Sequence, residues 1–205
     1  SSGDATRALL SARASQSAWT IGPDRDAILY EGLGLSFAGP EAADFISCTG
    51  PFDDEVDTPE DYRARFEQAL KRGLDMICAN PDKVVQRGGK LIYCGGALAD
   101  LYAQMGGTVL MAGKPHAPIY DLSLAEASRI LGSPVDPSRV LCVGEGAPTD
   151  VRGANLQGLD CLFIAAGNHA ADTVDGAGQM DSGRTAQLMA SSGVSATYAM
   201  MDLVW

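Results

Sequence analysis

The chain has 205 residues, 46% of them hydrophobic, and a formal net charge of -11 at pH 7. That length holds one large domain or two small ones, and the hydrophobic share excludes a disordered chain. The negative charge excludes a general nucleic-acid binder, and it requires any anionic ligand to be held by local cations.

Strands and helices alternate along the chain, which predicts an α/β fold with largely parallel strands. The opening residues carry a helical pattern with Leu9 and Leu10 among alanines, and no apolar strand precedes it. The sequence therefore reads as starting inside an architecture. Residues 18–21 predict a short strand. Pro23 then opens a helix that Gly32 or Gly34 ends. Residues 44–48 predict the next strand.

Thr58-Pro59-Glu60-Asp61 predicts a helix start, with Thr58 as cap and two acids at the positive end of the dipole. Gly73 stops that helix. A strand over 74–79 closes at Asn80-Pro81-Asp82. Residues 83–90, with Gly88-Gly89, read as a domain boundary or a hairpin. Then come a helix over 97–105, a strand over 108–112, a helix over 118–131, a strand over 140–143, a helix over 149–157 and a strand over 160–164. A last helix lies near 184–190.

The five cysteines form no C-x-x-C pair, and most lie in apolar runs. They read as buried thiols of a reducing, cytoplasmic compartment. The two histidines, His116 and His169, stand near no cysteine pair, so a zinc site is not expected. No signal peptide and no bilayer-length apolar run is present. Neither a nucleic-acid nor a membrane partner is expected.

Two segments carry the chemistry. Gly113-Lys114-Pro115-His116 follows the strand at 108–112, and Val143-Gly144-Glu145-Gly146-Ala147-Pro148-Thr149-Asp150 follows the strand at 140–143. In open parallel sheets, ligands bind beyond the carboxyl ends of strands. Glu145 and Asp150 offer hard oxygen ligands of the kind Mg²⁺ takes. Gly144 and Gly146 let a backbone approach closely, and Thr149 can cap a helix and orient Asp150. The bland alternative makes Asp150 a helix-start acid and Glu145 a solvated loop residue. Lys114 can neutralise a phosphate, or it is an ordinary surface lysine. A dinucleotide fingerprint begins at Gly144-x-Gly146, but its last place is Thr149, and Glu145 would repel a pyrophosphate.

The segments Gly-Lys-Pro-His, Gly-Glu-Gly-Ala-Pro-Thr-Asp and Cys-Ala-Asn-Pro-Asp together resemble the haloacid dehalogenase superfamily. The nearest likeness is its subclass with a large α/β cap, which includes NagD-like and pyridoxal-phosphate-phosphatase-like enzymes. The resemblance implies a Rossmann-like core, partial here, and an α/β cap of the C2 type. It divides the chain into a core helix remnant at 1–12, a cap at 13–95 and the later part of the core at 96–205.

It further implies a Mg²⁺-dependent phosphohydrolase that acts on a small phosphorylated metabolite through an aspartyl-phosphate. Lys114 is then the charge-steadying lysine, and Glu145 and Asp150 are the metal acids. Gly144, Gly146 and Thr149 lie at the phosphate, and Asn80 and Asp82 face the substrate from the cap. Resembling proteins often pair through their caps, which implies a homodimer. Glu145 departs from the family's usual aspartate.

The family's nucleophile, an Asp-x-Asp at a strand end, has no counterpart here. The only Asp-x-Asp, Asp24-Arg25-Asp26, follows Gly22-Pro23 and reads as a helix-start acid cluster. The sequence is accordingly expected to be the back portion of a longer phosphatase-like protein. Two alternatives stand beside this reading. One is a non-catalytic protein that binds phosphate or metal on the same scaffold, and the other is a nucleotide-binding oxidoreductase domain.

Overall fold

The computed structural model describes residues 1–204, and the chain divides after Gly113 into two compact units. The α/β class expected from the alternating pattern is what the chain adopts.

Unit 1 opens with α1 (Ser2–Ser11), started by a capping box in which Asp4 accepts from the Ser1 amine and Ser1 Oγ accepts from the Asp4 N–H. It continues through β1 (Ser17–Ile21), a 3₁₀ turn at Asp24–Tyr30, β2 (Ser36–Phe37) and β3 (Phe45–Cys48). Then follow α2 (Arg63–Lys71), β4 (Asp75–Cys78), the hairpin β5 (Val84–Arg87) and β6 (Lys90–Tyr93), α3 (Gly95–Gln104) and β7 (Thr108–Met111).

Five strands make one sheet in the order β2-β1-β3-β4-β7, every pair parallel. Alternate residues face opposite sides, so each strand serves two cores. Trp19, Ile21, Ile46, Cys48, Met76 and Cys78 pack on Phe66 of α2 and on Leu98 and Tyr102 of α3. On the other side Ala18, Phe45 and Ile77 pack on Leu10 of α1. Burial on both faces explains why β3 is apolar at nearly every position.

The Thr58 start forms as expected: Asp61 accepts from both the Thr58 backbone N–H and its hydroxyl at 2.8 Å. The first turn is 3₁₀ before α2 begins. Asp24-Arg25-Asp26 likewise sits in a 3₁₀ turn with none of its residues buried, and not at a strand end.

The expected break near residue 95 is not where the chain divides. Residues 83–90 take the hairpin alternative instead, with β5 and β6 antiparallel and Gly88 and Gly89 both at positive φ. The strand at 108–112 joins unit 1, because β7 pairs with β4 over four registered positions. Residues 1–12 also belong here, since Leu10 is buried beneath this sheet.

Unit 2 holds α4 (Ala117–Leu131), β8 (Leu141–Gly144), a π-type turn at Ala147–Val151 and α5 (Arg152–Gln157). These are followed by β9 (Asp160–Ile164), α6 (Ala170–Thr173), α7 (Ser182–Ser192) and β10 (Tyr198–Met200). Its sheet is β10-β9-β8, again parallel. Val151, Ala154, Cys161, Phe163 and Met189 form its buried centre. Gly132, Gly158 and Gly193 end α4, α5 and α7 in the left-handed conformation that glycine adopts without a Cβ clash.

All five cysteines are free thiols. Among the described residues, no helix is long and apolar enough to cross a membrane.

Candidate active site

The site in unit 2 is built where β8 ends. Gly144 closes that strand, and the chain turns at Gly146, whose carbonyl accepts from the amides of Asp150 at 2.8 Å and Val151 at 3.1 Å. This wide turn draws Asp150 back over the strand end. Asp150 Oδ2 then accepts from the Gly146 amide at 2.9 Å, and Oδ1 forms an ion pair with Lys114 Nζ. Lys114 and Asp150 are 36 residues apart in sequence, so their meeting is a product of the fold. The Asp150 side chain is 12% exposed and that of Lys114 is 49% exposed. The acid is a shielded anchor, and the ammonium it holds still reaches solvent.

Three glycines let these side chains lie where they do. A Cβ on Gly144 would stand 2.4 Å from Asp150 Cγ, and one on Gly146 would stand 2.2 Å from Thr149 Oγ1. A Cβ on Gly167, in the loop after β9, would stand 2.1 Å from Glu145 Cβ. Side chains thus cross bare backbone at each place. Glu145 is half-buried and forms no hydrogen bond or ion pair among the described residues.

Beneath the pair lies a cavity of about 260 Å³ lined by Lys114, Asp150, Tyr120, Ser123, Cys142 and Leu159, among others. Burial pushes the Tyr120 phenol up to about 12, and the charges of Cys142 and Asp150 add to this. The Cys161 thiol is pushed up to about 11, chiefly by burial, and Cys142 is raised by burial and by the Asp150 charge. Thiols held neutral in this way are poor nucleophiles, so neither competes as a catalyst.

Because the folded phenol of Tyr120 favours its neutral form, its contribution to stability is complete below pH 10 and is lost as pH rises toward 12. We expect Tyr120→Phe to melt like the native protein at pH 7 and to lose less stability between pH 10 and 12. Thermal melts across that range would check this, and parallel curves for both proteins would contradict it.

The sequence-selected residues fall in both units. Lys114, Glu145, Asp150, Gly144, Gly146 and Thr149 all lie in unit 2, at or beside the end of β8 or on the residue leading to α4. Asn80 and Asp82 belong to unit 1, where Asn80 Oδ1 accepts from the Asp82 amide at 3.1 Å in a side-chain-closed turn. His116 stands at the start of α4 without capping it, and burial lowers its pKa.

Tyr120 and Gly167 were not singled out from sequence. Tyr120 shows only as one aromatic on a helix. Gly167 offers a faint signal, since it follows the strand after the acid loop just as Gly144 closes the strand before it.

No group of three or more His, Cys, Asp or Glu side chains suited to a metal gathers among the described residues. Two carboxylates are nonetheless present at one strand end. The oxygens of Asp150 keep lone pairs beyond the bonds to Lys114 and Gly146, and the Glu145 carboxylate is unengaged. Hard oxygen donors of this kind fit Mg²⁺, which is usually held by one or two carboxylates with water and substrate oxygen.

Residues 111–186 match the HAD-hydrolase-like family model, a stretch that contains both strand-end segments. A haloacid dehalogenase-like hydrolase from Brucella suis 1330 is 48% identical over 83% of this chain, with a TM-score of 0.69. This chain resembles haloacid dehalogenase-like hydrolases. It spans 65% of the Brucella protein's length.

Two more distant structures share the fold. A p-nitrophenyl phosphatase from Archaeoglobus fulgidus is 22% identical, with 96% of this chain and 69% of that one covered and a TM-score of 0.67. A putative p-nitrophenyl phosphatase from Bacillus subtilis is 24% identical, with 97% and 65% covered and a TM-score of 0.63. At these identities the likeness concerns the fold, an α/β architecture consistent with a Rossmann-like core and a cap. No curated protein sequence matches the chain.

Proposed function

We propose that this chain belongs to a Mg²⁺-dependent phosphohydrolase acting on a small phosphorylated metabolite. The observation that carries the proposal is the Lys114–Asp150 ion pair at the end of β8, next to an unengaged Glu145. Unit 1 is read as the cap and unit 2 as part of the core. Asn80 and Asp82 remain candidates for substrate selection from the cap.

Lys114 supplies a fixed positive charge that offsets the charge of a phosphoryl group in a chain whose net field repels anions. Asp150 holds that ammonium in place through Oδ1, while its Oδ2 bond to the Gly146 amide keeps the carboxylate from rotating. Glu145 and Asp150 would hold Mg²⁺, which supplies Lewis-acid stabilisation of the transferring group when bound. Gly144, Gly146 and Thr149 form the turn on which a phosphate would rest. The one Asp-x-Asp present lies in a 3₁₀ turn, so neither of its acids is assigned as the phosphoryl acceptor.

The test is phosphate release from p-nitrophenyl phosphate by the full-length protein, with Mg²⁺ and with a chelator. Release that depends on Mg²⁺ is expected. Mg²⁺ binding without turnover would support the non-catalytic alternative, and neither binding nor turnover would remove the proposal.

A further inference from the structure

We infer that Gly167 is a positioning residue for Glu145, and that its lack of a side chain is what leaves room for the base of that acid's side chain beside it. The inference rests on the metal reading above and goes beyond it to a residue in a different loop.

The geometry is local to unit 2. A Cβ built on Gly167 would lie 2.1 Å from Glu145 Cβ, 2.3 Å from Cγ and 3.4 Å from Cδ. The base of the Glu145 side chain therefore occupies the space a Gly167 side chain would need. These contacts involve the base of the side chain, which cannot swing away as a flexible tip could. An added methyl would have to move one loop or the other.

The Gly167 loop is not free to move. The Ala165 and Ala166 amides donate to the carbonyls of Met200 and Met201 at 2.9 and 3.0 Å, continuing the pairing of β9 with β10. Buried Thr173 donates to the Ala165 carbonyl at 2.8 Å, and the Ala170 amide donates to the Gly167 carbonyl at 3.0 Å. Gly167 is thus clamped between β10 and α6, and it offers Glu145 a fixed wall.

Glu145 itself has no hydrogen-bond partner among the described residues to aim it. Packing against Gly167 is the constraint the structure gives it. An unbranched acid with three rotatable bonds loses much freedom on ordering, so a preset course favours ligation.

The test is a double-mutant cycle on the full-length protein, read as Mg²⁺ affinity by calorimetry with melting temperature alongside. Glu145→Gly removes the side chain that Gly167→Ala would strike. Gly167→Ala alone is expected to weaken Mg²⁺ binding about tenfold or more, in the range of residues that orient metal ligands. The double variant should bind Mg²⁺ no more weakly, and melt no lower, than Glu145→Gly alone. If Gly167→Ala fails to fold, the double variant should fold.

Native Mg²⁺ affinity in Gly167→Ala, or losses that multiply in the double variant, would overturn the inference and leave the proposed function standing. Native affinity in Glu145→Gly would remove Glu145 from the metal site, and this inference with it.

Discussion

Asp150→Ala in the full-length protein is expected to lower Mg²⁺-dependent phosphate-ester hydrolysis by at least about a hundredfold. The substitution removes three things together. It takes away a proposed metal ligand, it releases Lys114 from its partner, and it leaves the Gly146 amide without its acceptor. Asp150→Asn separates these losses, because the amide oxygen can still accept from Gly146 while the charge that holds Lys114 is gone. Steady-state kinetics with a Mg²⁺ titration would check both variants. Normal turnover in Asp150→Ala would contradict the assignment of this residue.

Phe66→Ala is expected to destabilise unit 1 by about 3–5 kcal/mol, the range for truncating a buried aromatic. Phe66 is fully buried and lies 5.1 Å, centroid to centroid, from Tyr102, with Trp19 at 6.0 Å and Tyr62 at 6.1 Å. Three aromatic rings surround the gap, and sheet residues hold them in place, so the gap cannot close by small shifts. Urea unfolding followed by circular dichroism would measure the loss. A change below about 1 kcal/mol would mean that this cluster does not organise the sheet, since such small values belong to sites that repack or lie at the surface.

What could be read from the sequence was local. Thr58 and Asp61 are three residues apart, so their reciprocal capping is written in a four-residue window. Gly88-Gly89 between two β-prone runs carries its turn in the same way. The meeting of Lys114 and Asp150 was not legible in that way, because the strand before Lys114 joins the sheet of unit 1 and the strand before Asp150 joins the sheet of unit 2, so no common sheet edge unites them.

Other features depend on which distant partner wins. The run at 108–112 could have joined either sheet, and its pairing with β4 moved the division of the chain from about residue 95 to Gly113. Two-residue β2 and three-residue β10 exist only because a neighbouring strand is there to pair with them. The turns at Asp24–Tyr30 and Ala147–Val151 are helical in pattern, but one is tightened to 3₁₀ and the other widened to π. In the second, the widening accompanies the return of Asp150 to Gly146. Gly167 was invisible for the same reason, since its contact with Glu145 spans 22 positions and leaves no periodic trace.

The measurement that bears most directly on the account is a crystal structure of the full-length protein with Mg²⁺ and a phosphate mimic such as trifluoroberyllate. The account predicts Mg²⁺ held by Asp150 and Glu145, directly or through water, with Lys114 Nζ within hydrogen-bond distance of the mimic. A metal bound away from the end of β8, or a mimic that Lys114 does not touch, would contradict it.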